Sequence, residues 1–225
     1  MIITIDGPSG GGKSSLARAI AEKYHLHHLA TSLLYRAVGF VLSRRWDEQG
    51  QEYHWQALSD LDYAEVDKIL YHVDEEKVAL IYEGEDITPF LSDENIAHYA
   101  SQVSTDARLR ARLLIVQRKI GSEYDLVADG RDVGSVVFPD ADLKLFLTAT
   151  PEMRAQRMLN DVERWKSAKK MSYQECLANV QERDARDQNR AVAPLMVPEG
   201  AVVIDATNLS FEQVKQQVFK LIEDL

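Results

Sequence analysis

G-P-S-G-G-G-K-S, residues 7–14, matches the phosphate-binding pattern G-x-x-x-x-G-K-[ST] in full. Gly7 opens it, and Gly10, Gly11 and Gly12 let consecutive backbone N–H groups curl around an anion without Cβ clashes. Lys13 can reach terminal phosphates, the Ser14 hydroxyl can ligate Mg²⁺, and Ser15 stands beside it. The flanks agree with this reading. Ile2-Ile3-Thr4-Ile5 is a β-branched run suited to a buried strand, and Leu16, Ala19, Ile20 and Lys23 fall at helical spacing. The loop amides then lie at a helix N-terminus, where anions bind. The pattern implies a site for a nucleoside triphosphate.

The chain has 225 residues, of which 45% are hydrophobic, enough for one α/β core with a small elaboration. A formal net charge of −10 and a pI near 5.1 argue against broad nucleic-acid or membrane-surface binding. Anionic ligands must therefore be met by local groups of arginine. The single cysteine, Cys176, excludes an intrachain disulfide and a cysteine-based zinc cluster, and reads as buried filler. With a strand expected from residue 2 and no apolar run of about 18 residues, the expectation is a cytoplasmic enzyme.

Beyond the first helix, residues 31–42 carry Leu34, Ala37, Val38, Val41 and Leu42 on one face, predicting a second helix. Residues 46–61 are polar and aromatic, without regular pattern. Strands are predicted at 78–82, 126–129, 143–147 and 202–204, and helices at 92–100 and 106–120. Ser172 with Glu175, and Ser210 with Gln213, announce two more helices through capping-box spacing. Strands alternating with helices predict an α/β fold with a mostly parallel sheet flanked by helices. Ligands bind at the carboxyl ends of strands in such sheets, and both Gly7 and Asp129 fall at such ends. The stretch 46–100 breaks the rhythm and reads as an inserted subdomain within a core of 1–45 and 101–225.

Three arginine-bearing clusters follow: Tyr35-Arg36, Asp129-Gly130-Arg131-Asp132, and the helical run from Arg183 to Arg190. Arg183, Asp187 and Arg190 share one helix face, a pattern that also suits a solvated stripe of i,i+4 pairs. His25, His27 and His28 lack further ligand spacing and read as surface or strand residues.

G-P-S-G-G-G-K-S, L-L-Y-R, S-Q-V-S, V-A-D-G-R-D-V-G-S-V-V-F-P-D-A and E-R-D-A-R-D-Q-N-R-A-V-A-P-L occur in that order. Together they resemble the bacterial cytidylate kinases, over essentially the whole chain. The resemblance implies a P-loop kinase core, a nucleoside-monophosphate-binding insert, and a short lid near residues 158–170 with Arg164, Lys166, Lys169 and Lys170. It implies transfer of the γ-phosphoryl group of ATP to CMP or dCMP with Mg²⁺, by a monomer that binds small nucleotides, not nucleic acid or membrane. Arg36, Arg131, Arg183 and Arg190 would meet phosphates, with Lys13, and Arg157 would contact the donor. Ser101, Arg110 and Asp132 would meet cytosine, Asp187 the pentose, and Thr31, Tyr35 and Gly130 the acceptor nucleotide. Asp129 would either hold Mg²⁺ through water, with Ser14, or contact the acceptor. The alternatives are a kinase for another small acceptor such as UMP, or a catalytically weakened nucleotide-binding regulator. The chain departs from the family at Ala30-Thr31-Ser32, where Asp-(Ser or Thr)-Gly is usual.

Overall fold

A computed structural model describes residues 1–55, 57–73, 78–161 and 171–225. The chain forms two compact units. One comprises Met1–Thr31 and the described residues from Leu114 onward, and the other is Ser32–Leu113.

The first unit is built on five parallel strands, β1 (Ile2–Asp6), β2 (His27–Ala30), β6 (Leu126–Gly130), β7 (Leu143–Thr148) and β8 (Val202–Asp205), in the order β2-β6-β1-β7-β8. The register pairs Ile5 with Asp129, Asp6 with Gly130 and Ala30 with Asp129. The ends of β1, β2 and β6 therefore share one edge of the sheet. Ile3, Ile5, Val127, Leu145 and Leu147 of the strands are buried against Leu16, Ala17 and Ile20 of α1 (Lys13–Tyr24) and Val214, Val218 and Ile222 of α8 (Phe211–Glu223). Each fully buried Ile or Leu contributes roughly 1.5–3 kcal/mol of transfer free energy. α1 stops at His25, whose left-handed backbone (φ 55) lets its N–H return to the Ala21 carbonyl. The expected capping boxes form at the starts of α7 (Tyr173–Asn189) and α8, with Glu175 and Gln213 as partners of Ser172 and Ser210. α6 (Pro151–Asn160) packs on α7 through Ala155, Met158, Leu159, Cys176 and Val180, and Cys176 is the buried filler expected. Of the expected lid, Arg164, Lys166, Lys169 and Lys170 lie outside the described residues.

The second unit carries α3 (Asp60–Val66), the antiparallel strands β3 (Leu70–Val73), β4 (Val78–Tyr82) and β5 (Glu85–Asp86), and α4 (Glu94–Val103). Two helices continue the chain between the units: α2 (Thr31–Glu48), six residues longer than its apolar face indicates, and α5 (Ala107–Glu123). The division falls at 31/32 and 113/114, outside the 46–100 marked by the break in sequence rhythm. Within 46–61, Ser59 opens α3 with a capping box to Asp62, and the buried Trp46 Nε1 donates to Asp62 Oδ1 at 3.0 Å. The aromatic composition there serves a local core. No helix among the described residues is long and apolar enough to cross a membrane.

Candidate active site

The loop 7–14 joins β1 to α1 at the carboxyl edge of the parallel sheet. Lys13 is buried, and its Nζ donates to the Pro8 carbonyl at 2.7 Å. Burial pushes its ammonium well below the usual lysine range. The Arg131 charge adds to this, while Asp129, Asp187 and Asp6 act against it. A triphosphate in the loop would add negative charge beside this lysine and favour its ammonium form.

Asp129 ends the apolar run of β6 and is buried. Its Oδ2 accepts from Ser14 Oγ at 2.7 Å, and its Oδ1 lies 2.7 Å from His28 Nε2. Burial acts to raise its pKa, but His28, Ser14 and Lys13 together hold the carboxyl below the ordinary carboxylate value. The Thr31 hydroxyl donates to the Asp129 carbonyl at 2.8 Å, fixing the start of α2 to the end of β6. His28 is therefore a strand residue, as its position suggested, and also a partner of the site.

Asp6, at the end of β1, carries no sequence pattern that singles it out. Its two carboxylate oxygens accept from the Val133 and Gly134 N–H groups, each at 2.7 Å. These bonds hold the turn that presents Arg131 and Asp132. Burial, reinforced by the charge of Asp132, raises its pKa to about 6 against the two amide bonds and the charge of Lys13.

α7 supplies the other side of this turn. Arg131 Nε donates to Asp187 Oδ2 at 2.7 Å, and Arg190 Nη2 donates to Asp132 Oδ1 at 3.1 Å. Burial alone would raise the Asp187 pKa, but Arg131, Arg190 and Arg183 bring it below the ordinary value. Asp187 and Arg190 of the stripe thus belong to an ion network with Arg131 and Asp132, and the half-buried Arg183 acts on Asp187 through its charge, so the stripe is not a solvated face. Arg157, on α6, donates to the Ala206 carbonyl at 2.5 Å. Ser15 is exposed on the first turn of α1, after the exposed Ser14.

The remaining sequence-marked residues belong to the second unit. Arg36 Nη1 donates to the Leu91 carbonyl at 2.6 Å. The Arg110 guanidinium lies 5.5 Å from the centre of the Tyr35 ring and donates to the Ser104 carbonyl at 3.1 Å. The Ser104 hydroxyl donates in turn to the Ser101 carbonyl at 3.0 Å. Ser101 and Arg110 are both buried.

Within the first unit, loop amides, a lysine, a hydroxyl–carboxylate pair and three arginines gather at the carboxyl edge of one sheet. This set can bind phosphates and stabilise charge moving between them. A solved structure of an uncharacterised protein from Eubacterium ventriosum superposes with a TM-score of 0.56 at 12% identity, covering 100% of this chain and 99% of that one, a likeness of fold alone. A relative named cytidylate kinase from a Marinomonas species is 40% identical over 225 residues, 97% of this chain and 93% of its own length. Another of that name from Caldicellulosiruptor saccharolyticus is 35% identical over 228 residues, 97% and 94% of the two chains. The family model described as cytidylate kinase matches residues 3–224, and this chain belongs to the cytidylate kinase family.

Proposed function

We propose that this chain moves the γ-phosphoryl group of ATP onto CMP or dCMP, giving ADP and CDP or dCDP, as a cytoplasmic enzyme. The observation that carries the reading is the convergence of Lys13, Arg131 and Arg190 with the loop 7–14 on the first unit, in a chain whose net charge is −10. Such a concentration of cations in an acidic protein answers to a phosphate-rich ligand. Loop amides and Lys13 bind the β- and γ-phosphates of ATP. Arg131, Arg183 and Arg190 meet the phosphates between which the group passes. A nucleoside monophosphate has a second pKa near ~6, so its phosphate is largely dianionic at neutral pH and attacks without a general base. The phosphate oxygen forms a bond to the γ-phosphorus as the bond to the β-bridging oxygen breaks, and the spreading charge falls on the cations.

Mg²⁺ fits the same edge. It binds oxygen donors, usually one or two from protein together with substrate phosphates and several waters. The Ser14 hydroxyl and Asp129 carboxylate, 2.7 Å apart, supply that chemistry without a closed cage. Bound there, the ion would neutralise charge on the bridging phosphate oxygens. In the second unit, Arg110 can donate to the ring acceptors of cytosine and the Ser101 hydroxyl can receive from its amino group. Uracil presents the reverse donor and acceptor pattern.

A coupled assay of ADP release across CMP, dCMP, UMP, AMP and shikimate tests the reading. CMP and dCMP should lead, with UMP at least tenfold lower in kcat/KM, because mismatched hydrogen bonds to a charged group cost about 1.5–3 kcal/mol. Equal use of UMP would overturn the base assignment, and no turnover with any acceptor would overturn the kinase.

A further inference from the structure

Arg154 is assigned no role by the phosphate-binding pattern or by the arginine clusters, yet it is one of the most deeply buried charges among the described residues, at 3% exposure. Four contacts hold its guanidinium. Nε donates to the Ala149 carbonyl at 2.8 Å, and Nη1 donates to the Ser9 carbonyl at 3.0 Å. Nη1 and Nη2 also clasp the Asp184 carboxylate, at 3.1 Å to Oδ1 and 2.5 Å to Oδ2. Ser9 lies inside the phosphate loop, Ala149 follows β7, and Asp184 lies on α7 between Arg183 and Asp187. A buried charge is tolerated only when its donors are met, and a planar fork can meet partners in several directions where an ammonium cannot.

The consequence lies in what these partners carry. α7 reaches the Arg131 turn through Asp187 and Arg190, and reaches the phosphate loop through Asp184 and Arg154. We propose that Arg154 is a positioning residue that sets the phosphate loop in register with α7, by holding the Ser9 carbonyl and the Asp184 carboxylate in one guanidinium plane. The inference rests on the phosphoryl-transfer reading above, and adds to it the part that fixes donor-side amides relative to the arginines of α7. Lysine at 154 keeps the charge but has no second edge, so the loop and helix lose their common reference. A misplacement of about 1 Å between reacting groups is enough for a loss of about a hundredfold.

The experiment compares Arg154→Lys, Asp184→Asn and the double variant, all in the full chain. Readouts are kcat, KM for ATP, and hydrogen–deuterium exchange of the loop 7–14 amides without nucleotide. Arg154→Lys should lose at least tenfold in kcat, raise KM for ATP, and speed exchange selectively in the loop. Asp184→Asn should move all three in the same direction by less, and the double variant should be no worse than Arg154→Lys alone. A purely structural role would lower the active fraction, leaving KM unchanged and raising exchange across the sheet. That pattern, or a wild-type kcat and loop exchange in Arg154→Lys, overturns the proposal. Should Arg154→Lys fail to fold, Asp184→Asn decides: unchanged KM and loop exchange there overturn it. Wild-type turnover in the same assay separately tests the kinase reading, and the exchange readout is independent of it.

Discussion

Replacing Gly7 with alanine probes how closely the phosphate loop is seated on the sheet. Gly7 has φ 144, and a Cβ built there would stand 2.0 Å from the Leu147 carbonyl oxygen and 3.0 Å from its carbon. Real Cβ atoms essentially never approach within 3.0 Å, so something must yield by about 1 Å. Leu147 cannot be the part that yields. It is 2% exposed, and β7 is paired on one side with β1 and on the other with β8, where Leu147 stands opposite Ile204. The loop must move instead, and on the proposed function a shift of about 1 Å in the amides proposed to meet the γ-phosphate predicts a loss near 10²-fold in kcat/KM for ATP. That corresponds to about 2.7 kcal/mol of transition-state stabilisation. Gly84→Ala serves as the control. Its φ of 85 is also positive and strains an alanine, but nothing lies within 4 Å of the new methyl. It should cost about 1 kcal/mol of stability and leave turnover alone. Steady-state kinetics with varied ATP, beside thermal unfolding of both variants, reads the difference. If Gly7→Ala kept wild-type kcat/KM, the close seating of the loop would be refuted.

Lys13→Ala should reduce kcat by about 10²–10³, the usual cost of one preorganised electrostatic donor, and a variant with most of the wild-type turnover would reject Lys13 as a γ-phosphate contact. Asp6 links the site to pH. Its folded pKa of about 6 lies above the ordinary 3.8, so the folded protein retains a proton that the unfolded chain releases between those values. The contribution to stability is full below about pH 4 and is lost as pH rises through about 6, by roughly 3 kcal/mol in all. In urea unfolding, the stability of wild type relative to Asp6→Asn should therefore fall from pH 4 to pH 7; a constant or growing difference would contradict the buried, proton-holding carboxyl.

The phosphate loop, the strand ends and two capping boxes were legible because each is a local pattern with a mechanical cause. Asp129 was found as an acid closing an apolar run. Asp6 closes Ile2-Ile3-Thr4-Ile5 in the same way, but the glycines that follow it account for the segment on their own, so no local pattern singles it out. His28 and Arg154 carried no local sign. Their partners, Asp129 and Asp184, lie about a hundred and about thirty residues away, and only strand register and helix packing bring them together. The helix face of Arg183, Asp187 and Arg190 was visible from spacing, yet whether it faced solvent or a carboxylate depended on Asp132 and Arg131 of a distant turn. In the second unit, β3 and α3 escaped for a different reason. Leu70–Val73 is a short strand whose partner β4 lies across residues 74–77, and α3 spans only seven residues, too few for a helical period to declare itself.

The position of β1 has a consequence for how the protein is made. Ile2–Asp6 occupies the centre of the five-stranded sheet, between Leu126–Gly130 and Leu143–Thr148. On a ribosome adding about 5–20 residues per second, this strand waits roughly 6 to 25 seconds for its first neighbour and somewhat longer for its second. Throughout that interval a β-branched segment has both edges unpaired. The nascent chain's hazard is therefore concentrated in Ile2–Asp6, and a chaperone that shields this strand until residue 148 has emerged would act where the parallel topology leaves the backbone longest unpaired.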